Sequence, residues 1–155
     1  MKYSIVPATQ EHVKAMSPNI RIADRHEVMA SAGQDVELLL PKCVDDAEMV
    51  WAGLVDDEVA CIFGVQGMSF ISETGIPWMI GTSLIERHAK AFLRRNRKMV
   101  GVMLARYPHL KNYVDVRNKK AIEWLQWLGF TIHTPEKFGA YQMMFHPFEM
   151  KAAYV

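Results

Sequence analysis

The sequence predicts one domain of the α/β (α+β) class, in which helices flank a mixed, mostly antiparallel central sheet. The chain has 155 residues, which is enough for one hydrophobic core but too few for two. Half of the residues are hydrophobic and 23% are charged, as in ordinary globular proteins. Strand-like and helix-like spacings of apolar residues follow one another in the order β-α-α-β-β-β-α-β-α-β-β. We therefore expect a single layered domain over residues 1–155.

The N-terminal part predicts a strand followed by helices. Residues 3–6 predict a short strand, and Thr9 is placed to cap the helix that follows. Pro18 should interrupt this helical region, which continues in pieces to about Ala32. A second short helix is predicted over residues 36–40, because Pro41 should end it.

The middle of the chain predicts three strands. Residues 49–55 and 58–65 are rich in strand-forming residues and flank an Asp-Asp pair, which is typical of a hairpin turn. Gly64 and Gly67 indicate a bulge or a strand end. The run IPWMIGT is apolar on both faces and predicts a central strand.

A long helical region follows the third of these strands. Ser83 and Glu86 fit a capping box, so we expect a helix to begin near Leu84 and to end at Pro108. A basic cluster interrupts its apolar stripe, so either one long helix exposes this cluster or two helices meet there. The cluster consists of Arg94, Arg95, Arg97 and Lys98.

The stretch YVDVRNKKAIEWLQWLGF predicts a strand, a cap, a helix and a stop. Asn118 stands at the expected N-cap position. The apolar stripe comprises Ala121, Trp124, Leu125 and Leu128. Gly129 is at the position of a left-handed residue after the helix, and we expect Phe130 to fold back onto Leu125. We expect only one of Trp124 and Trp127 to be buried, and the tail to form two strands joined around residues 138–139.

Composition excludes several classes of function. Eighteen basic and seventeen acidic residues give a net charge of +1, which disfavours nucleic acid and membrane partners. Cys43 and Cys61 are isolated and suit free thiols in a reducing compartment, and the histidines lack metal-ligand spacing. No signal peptide or membrane span is evident, so we expect a soluble, metal-free protein of the cytoplasm.

These elements resemble the GNAT acyltransferase superfamily. The likeness is most specific over residues 118–130, where Asn, Ala and a helix closing on Gly-Phe follow one another. IVPAT resembles the family's first strand and VDDEVACIFG its hairpin. A narrower resemblance, over residues 78–83 and 112–130, is to the GNAT-like internal virion proteins of short-tailed bacteriophages. It implies a virion protein, located in the host cytoplasm or the virion.

The resemblance implies a site for acetyl-CoA and an amine acceptor. The fourth strand would hold the pantetheine arm, and the following helix would hold the pyrophosphate. The residues so implied are Ile80, Gly81, Thr82, Lys90, Arg94, Arg95 and Asn118. Two family features are missing, because alanines replace the glycines of the phosphate loop and Leu125 replaces the tyrosine that acts as general acid.

Two functions therefore stay open at the level of sequence. One is acetyl transfer from acetyl-CoA to an amine, with unknown catalytic residues; Glu73 and His88 are candidates for the base by location alone. The other is an inactive phage protein that acts in virion assembly or binds a phage or host protein. A homodimer is compatible with either function.

Overall fold

The structure is a computed structural model that describes residues 1–153. Fourteen helices and strands, together with a 3-10 turn at Ser17–Asn19, follow the predicted alternation closely. The strands are β1 Tyr3–Pro7, β2 Met49–Val55, β3 Glu58–Gly67, β4 Thr74–Gly81, β5 His109–Asp115, β6 Thr131–Ile132, β7 Glu136–Phe138 and β8 Met143–Lys151. The helices are α1 Gln10–Met16, α2 Ile22–Ala32, α3 Val36–Asp46, α4 Ser83–Arg87, α5 Ala89–Arg106 and α6 Lys119–Leu128.

The strands form one mixed sheet in the order β1-β2-β3-β4-β5-β8-β6, with β7 also paired to β8. Every pairing is antiparallel except that between β4 and β5, which is parallel. One face of the sheet packs against α1, α2 and α3, and the other against α4, α5 and α6. The predicted fold class is therefore confirmed.

The hairpin between β2 and β3 forms where it was predicted. Asp56 and Asp57 both have positive φ, which a two-residue turn of this kind requires. Gly67 ends β3 as expected, but the bulge lies between Gly53 and Leu54 rather than at Gly64. The sequence around Gly53 and Gly64 does not indicate which of the two glycines lies at a bulge.

Two predicted helix ends are wrong. The helix expected to end at Pro41 continues to Asp46, because Leu40 and Val44 both pack in the core and outweigh one missing backbone hydrogen bond. The cap of α4 is Thr82 rather than Ser83, since its hydroxyl accepts from the N–H of Leu84. Of the two alternatives for the basic cluster, the structure has the first, because the cluster lies within the single helix α5 and is mostly exposed; α4 and α5 meet earlier, at His88.

The helix after Asn118 is confirmed in most respects. Trp124 is buried, whereas Trp127 is 43% exposed and lies under the guanidinium of Arg97. Gly129 has φ +104°, and the N–H of Phe130 donates to Leu125, which completes a Schellman stop. Cys43 and Cys61 are free thiols, and burial raises the pKa of Cys61 to about 12. Within residues 1–153, no helix is both long and apolar enough to cross a bilayer.

Candidate functional site

A gap opens in the middle of the sheet, between β4 and β5. The two strands pair only where they begin, at Thr74 with His109 and at Gly75 with Leu110. Farther along they diverge, and a side chain bridges them: the amide of Asn112 donates to the carbonyl oxygen of Pro77 at 2.7 Å. On the edge of β4 that faces the gap, backbone groups along this part of the strand are therefore not used in a strand ladder, whereas the opposite edge stays paired with β3.

Pro77 shows which backbone groups of β4 face the gap. Its carbonyl is bonded to Asn112 of β5, and N and C=O of one strand residue point to the same edge. Because alternate residues share an edge, Met79 and Gly81 present their N–H and C=O groups to the gap as well. A proline is tolerated in this central strand because the edge that lacks its N–H has no partner strand.

An apolar cavity of about 300 Å³ passes through the gap. On one face of the sheet α2 and α3 line it, with Val28, Leu39 and Trp78 among the lining residues. On the other face α5 and α6 line it, with Val100 and Leu125. The cavity is open to solvent and thus accessible to a ligand.

Two residues that line this cavity each carry a buried polar atom without a hydrogen-bond partner among residues 1–153. The atoms are Nε1 of Trp78 and Oδ1 of Asn96. The two residues lie on opposite faces, since Trp78 packs on the α2–α3 side and Asn96 belongs to α5. Buried polar atoms without partners are uncommon, but neither atom is exposed to the open volume of the cavity.

The residues at the start of α2 close one end of the gap. The carboxylate of Asp24 accepts from the N–H of Gly81 at 2.8 Å, and the N–H of Arg21 donates to the carbonyl of Gly81 at 2.9 Å. Arg21 also donates to Asp24 at 2.8 Å and lies over the ring of Trp124. Burial raises the pKa of Asp24, although Arg21 and these hydrogen bonds oppose that shift. Both gap-facing groups of Gly81 are thus occupied.

Asn118 belongs to this buried cluster. It holds the N-cap position of α6, but its side chain makes no capping hydrogen bond, so the predicted capping role is wrong. Its amide instead donates to Asp24 at 3.0 Å and accepts from Arg21 at 3.3 Å. The side chain is only 2% exposed. The polar residue that marks the family resemblance therefore ties α6 to α2.

Glu27 is a second carboxylate of α2 in the cavity lining. Its Oε1 accepts from the N–H of Asp115 at 2.8 Å, at the end of β5. Burial raises the pKa of Glu27 to about 8, and the nearby carboxylates of Asp24 and Asp115 add to this effect. Asp24 and Asp115 have arginine partners, Arg21 and Arg117, whereas Glu27 has no salt-bridge partner within residues 1–153.

The residues predicted for the pantetheine arm are close together. Ile80 lines the cavity, and Gly81 and Thr82 follow it at the end of β4. Thr82 is directed away from the gap, because its N–H and hydroxyl both bond to Ala60 of β3. Asn118 is joined to Gly81 through Asp24. Their role in cofactor binding stays a prediction.

The residues predicted for the pyrophosphate are not brought to the gap. Lys90 and Arg94 are exposed on α5 and do not line the cavity. Arg95 lies over the ring of Tyr3 in β1, three strands away from β4. The group beside the gap is instead the carboxylate of Glu86 in α4, which pairs with Arg21 at 2.9 Å and with Lys120 at 3.6 Å. The spacing of residues did not predict that a separate short helix, α4, lies between β4 and α5.

The predicted catalytic candidates lie elsewhere as well. Glu73 is exposed before β4, and Nδ1 of His88 hydrogen-bonds the hydroxyl of Tyr3, so neither lines the cavity. Leu125 does line it. The charged residues that do so among residues 1–153, Arg21, Asp24 and Glu27, were missed. Their spacing of three along one helix was a signal that they share a face.

The arrangement of the sheet is shared with known acetyltransferases. The chain aligns over 98% of its length with all of an acetyltransferase of the GNAT family from Streptococcus pneumoniae, at 13% identity and a TM-score of 0.66. A ribosomal-protein-alanine N-acetyltransferase from Brucella melitensis aligns over 96% of this chain and 99% of its own, at 13% identity and a TM-score of 0.69. The fold is that of the GNAT acetyltransferases.

One structural neighbour contains ligands. It is a spermidine N-acetyltransferase from Vibrio cholerae in complex with CoA and spermine, with 17% identity and a TM-score of 0.66, covering 96% of this chain and 95% of its own. No protein-family model and no curated protein matches the chain. The likeness establishes the GNAT fold alone, and the predicted relationship to phage virion proteins stays a prediction.

Proposed function

We propose that this GNAT-fold protein transfers an acyl group from an acyl-CoA thioester to an amine. The observation that carries the proposal is the gap between β4 and β5, which opens into the apolar cavity of about 300 Å³. An extended, mostly apolar arm with amide groups suits this space, because the lining is largely apolar and β4 presents the backbone groups of Met79 to the gap. One structural neighbour of the same fold, in complex with CoA and spermine, supports the proposal.

The two ends of CoA fit this protein unequally. The pantetheine arm suits the cavity, but the start of α4, beside Gly81, offers little to the diphosphate. The hydroxyl and carbonyl of Thr82 already accept from the first N–H groups of α4, and Glu86 adds a negative charge there. Lys120 is exposed and pairs with Glu86 at 3.6 Å. We expect most of the binding free energy to come from the arm.

The thioester would supply an activated acyl carbon. In the overall reaction a C–N bond forms and the C–S bond breaks; the ammonium nitrogen loses two protons, of which one ends on the sulfur of the departing CoA thiol and the other is released to solvent. The protein supplies a largely apolar enclosure that excludes water from the reacting groups. Leu125 contributes apolar surface to it and no proton. A side-chain acid is therefore missing from the position where the family resemblance would place one.

Isothermal titration calorimetry with acetyl-CoA tests this proposal. Val100 lines the cavity, whereas Val102, two residues farther along α5, is exposed. Because phenylalanine at position 100 would fill the cavity, Val100→Phe should weaken acetyl-CoA binding about tenfold or more, and Val102→Phe should leave it unchanged. Asn118→Ala should also weaken binding by loosening the end of the gap. Absence of binding at millimolar acetyl-CoA would overturn the proposal.

A second function, partner binding without catalysis, is favoured by one surface feature. The loop between β3 and β4 exposes three apolar side chains, those of Met68, Phe70 and Ile71. Adjacent exposed apolar residues are typical of protein interfaces, as in a virion protein or a homodimer. Light scattering of the wild type and of Phe70→Ser tests for a homodimer. A dimer lost in the variant, together with no acetyl-CoA binding, would favour this function.

A further inference from the structure

The part of the cavity on the α2 side differs from the part on the α5–α6 side. It combines aromatic rings with one carboxylate, and we call it the α2 chamber. Its lining consists of Glu27, Val28, Ser31, Trp78, Tyr113, Phe138 and Phe145. Phe138 stacks on Tyr113 with ring centroids 3.9 Å apart and meets Phe145 edge to face at 5.2 Å. The N–H of Ala140 donates to Ser31, which holds the β7–β8 turn against α2.

Glu27 is the acidic residue of this chamber, and it has no salt-bridge partner among the described residues. Asp24 pairs with Arg21 at 2.8 Å, and Asp115 pairs with Arg117 at 2.6 Å, so both arginines are engaged with other carboxylates. Glu27 receives a single backbone N–H, from Asp115, and has no salt-bridge partner within residues 1–153. Glu27 is partly buried in a mostly apolar lining, where a nearby cation would stabilise the ionised carboxylate, so the site is suited to a positively charged ligand.

The rest of the chamber sets the shape of such a ligand. Aromatic faces attract an ammonium group and also accept an apolar body. The chamber offers no second free carboxylate among the described residues, because Asp24 is already paired. Further ammonium groups on a polyamine would thus be buried without partners, whereas a single ammonium on an apolar body would satisfy both the carboxylate and the rings.

We propose that the α2 chamber binds a primary amine with one ammonium group and an apolar or aromatic body, with the ammonium paired to Glu27. Its role as the acyl acceptor rests on the proposed function, but its binding does not require the thioester. This amine class differs from the spermine held by the structural neighbour from Vibrio cholerae. The distinction follows from one unpaired carboxylate in an aromatic lining.

Proton linkage gives the proposal a signature that a structural role of Glu27 would not produce. Near pH 7 free Glu27 is mostly protonated, since its pKa is about 8. A bound ammonium favours the ionised carboxylate, so binding at pH 7 should release a large part of one proton. The other charged groups facing Glu27 are Asp24, Asp115 and Arg117. Asp24 and Asp115 are already paired with Arg21 and Arg117, so the protonation of these two carboxylates should change little when the amine binds.

The experiment is calorimetry of the whole protein, without CoA, at pH 7 in buffers of different ionisation enthalpy. We expect 2-phenylethylamine to bind at least about tenfold more tightly than spermidine, with the proton release given above. Glu27→Gln, which keeps the hydrogen bond from Asp115, should weaken binding about tenfold and abolish the release. Glu11→Gln, an exposed control on α1, should change neither.

A variant that leaves Glu27 intact provides an independent test. Ser31→Leu places a larger side chain in the α2 chamber and should weaken 2-phenylethylamine binding while circular dichroism shows a folded protein. No binding of 2-phenylethylamine, tighter binding of spermidine, or equal affinities in wild type and Glu27→Gln would overturn the inference. Amine binding without acetyl-CoA binding would overturn only the proposed acyl transfer.

Discussion

Arg21, Asp24 and Asn118 exchange hydrogen bonds in a cluster from which water is almost excluded. At the scale of single residues this cluster decides the shape of the cavity, because it fixes α2 against Gly81 and α6. Buried charges of this kind stabilise a fold little in total, but removal of one partner leaves the other uncompensated. Single substitutions in α2 should therefore have large effects on stability.

Replacement of Asp24 tests this view of the cluster. Asp24→Ala leaves the buried guanidinium of Arg21 with Glu86 as its remaining acid, so we expect a loss of about 3 kcal/mol in the free energy of unfolding. Asp46→Ala, at the exposed end of α3, should stay within about 0.5 kcal/mol of the wild type. Urea denaturation monitored by circular dichroism measures both. Similar values for the two variants would show that the cluster is not a tight structural unit.

Glu27 should make the stability depend on pH in a definite direction. An unperturbed glutamate loses its proton near pH 4.5, whereas in the folded protein Glu27 keeps it until about pH 8. Between these values the folded state holds more protons, so rising pH favours unfolding, by at most about 1.4 kcal/mol per pH unit. Urea denaturation from pH 5 to pH 8 should show this decline in the wild type and a flatter profile in Glu27→Gln. Parallel profiles would contradict the assigned environment of Glu27.

At the scale of elements, some boundaries are set by local sequence signals and others by tertiary packing. The stop of α6 was predictable because Gly129 and Phe130 carry it within two residues. The continuation of α3 past Pro41 was not, because it depends on contacts of Val44 with residues distant in sequence. The turn at Asp56 was predictable because two adjacent residues carry it, as they do at the end of α6. Boundaries set by packing are thus the ones that sequence reasoning misses.

Two glycines should respond to alanine in opposite directions. Gly129 has φ +104°, so Gly129→Ala should destabilise the protein by about 1 kcal/mol or more. Gly101 lies within α5, is exposed, and a Cβ there meets nothing within 4 Å, so Gly101→Ala should stabilise it by about 0.5–1 kcal/mol. Thermal unfolding of both variants gives the comparison. If both variants changed the stability in the same direction, one of the two backbone conformations would be misassigned.

At the scale of the whole molecule, the fold was predictable but the site only in part. The order of elements and the motif at residues 118–130 sufficed for the sheet and its helices. Ile80 and Gly81 lie at the end of β4 beside the gap, and their role in a site stays a prediction. Arg21, Asp24 and Glu27 were missed, because only the closed fold brings α2 onto the ends of β4 and β5. Pro77 in a central strand was an unused signal of the unpaired edge.

The central claim is that the gap between β4 and β5 binds the thioester arm of an acyl donor. The most direct test compares the affinity of S-acetylpantetheine, which lacks the nucleotide and its diphosphate, with that of acetyl-CoA by calorimetry. Because the arm suits the cavity and the first N–H groups of α4 are already bonded to Thr82, we expect both to bind, with affinities within about tenfold. Failure of both ligands to bind at millimolar concentration, or acetyl-CoA binding alone, would contradict the account.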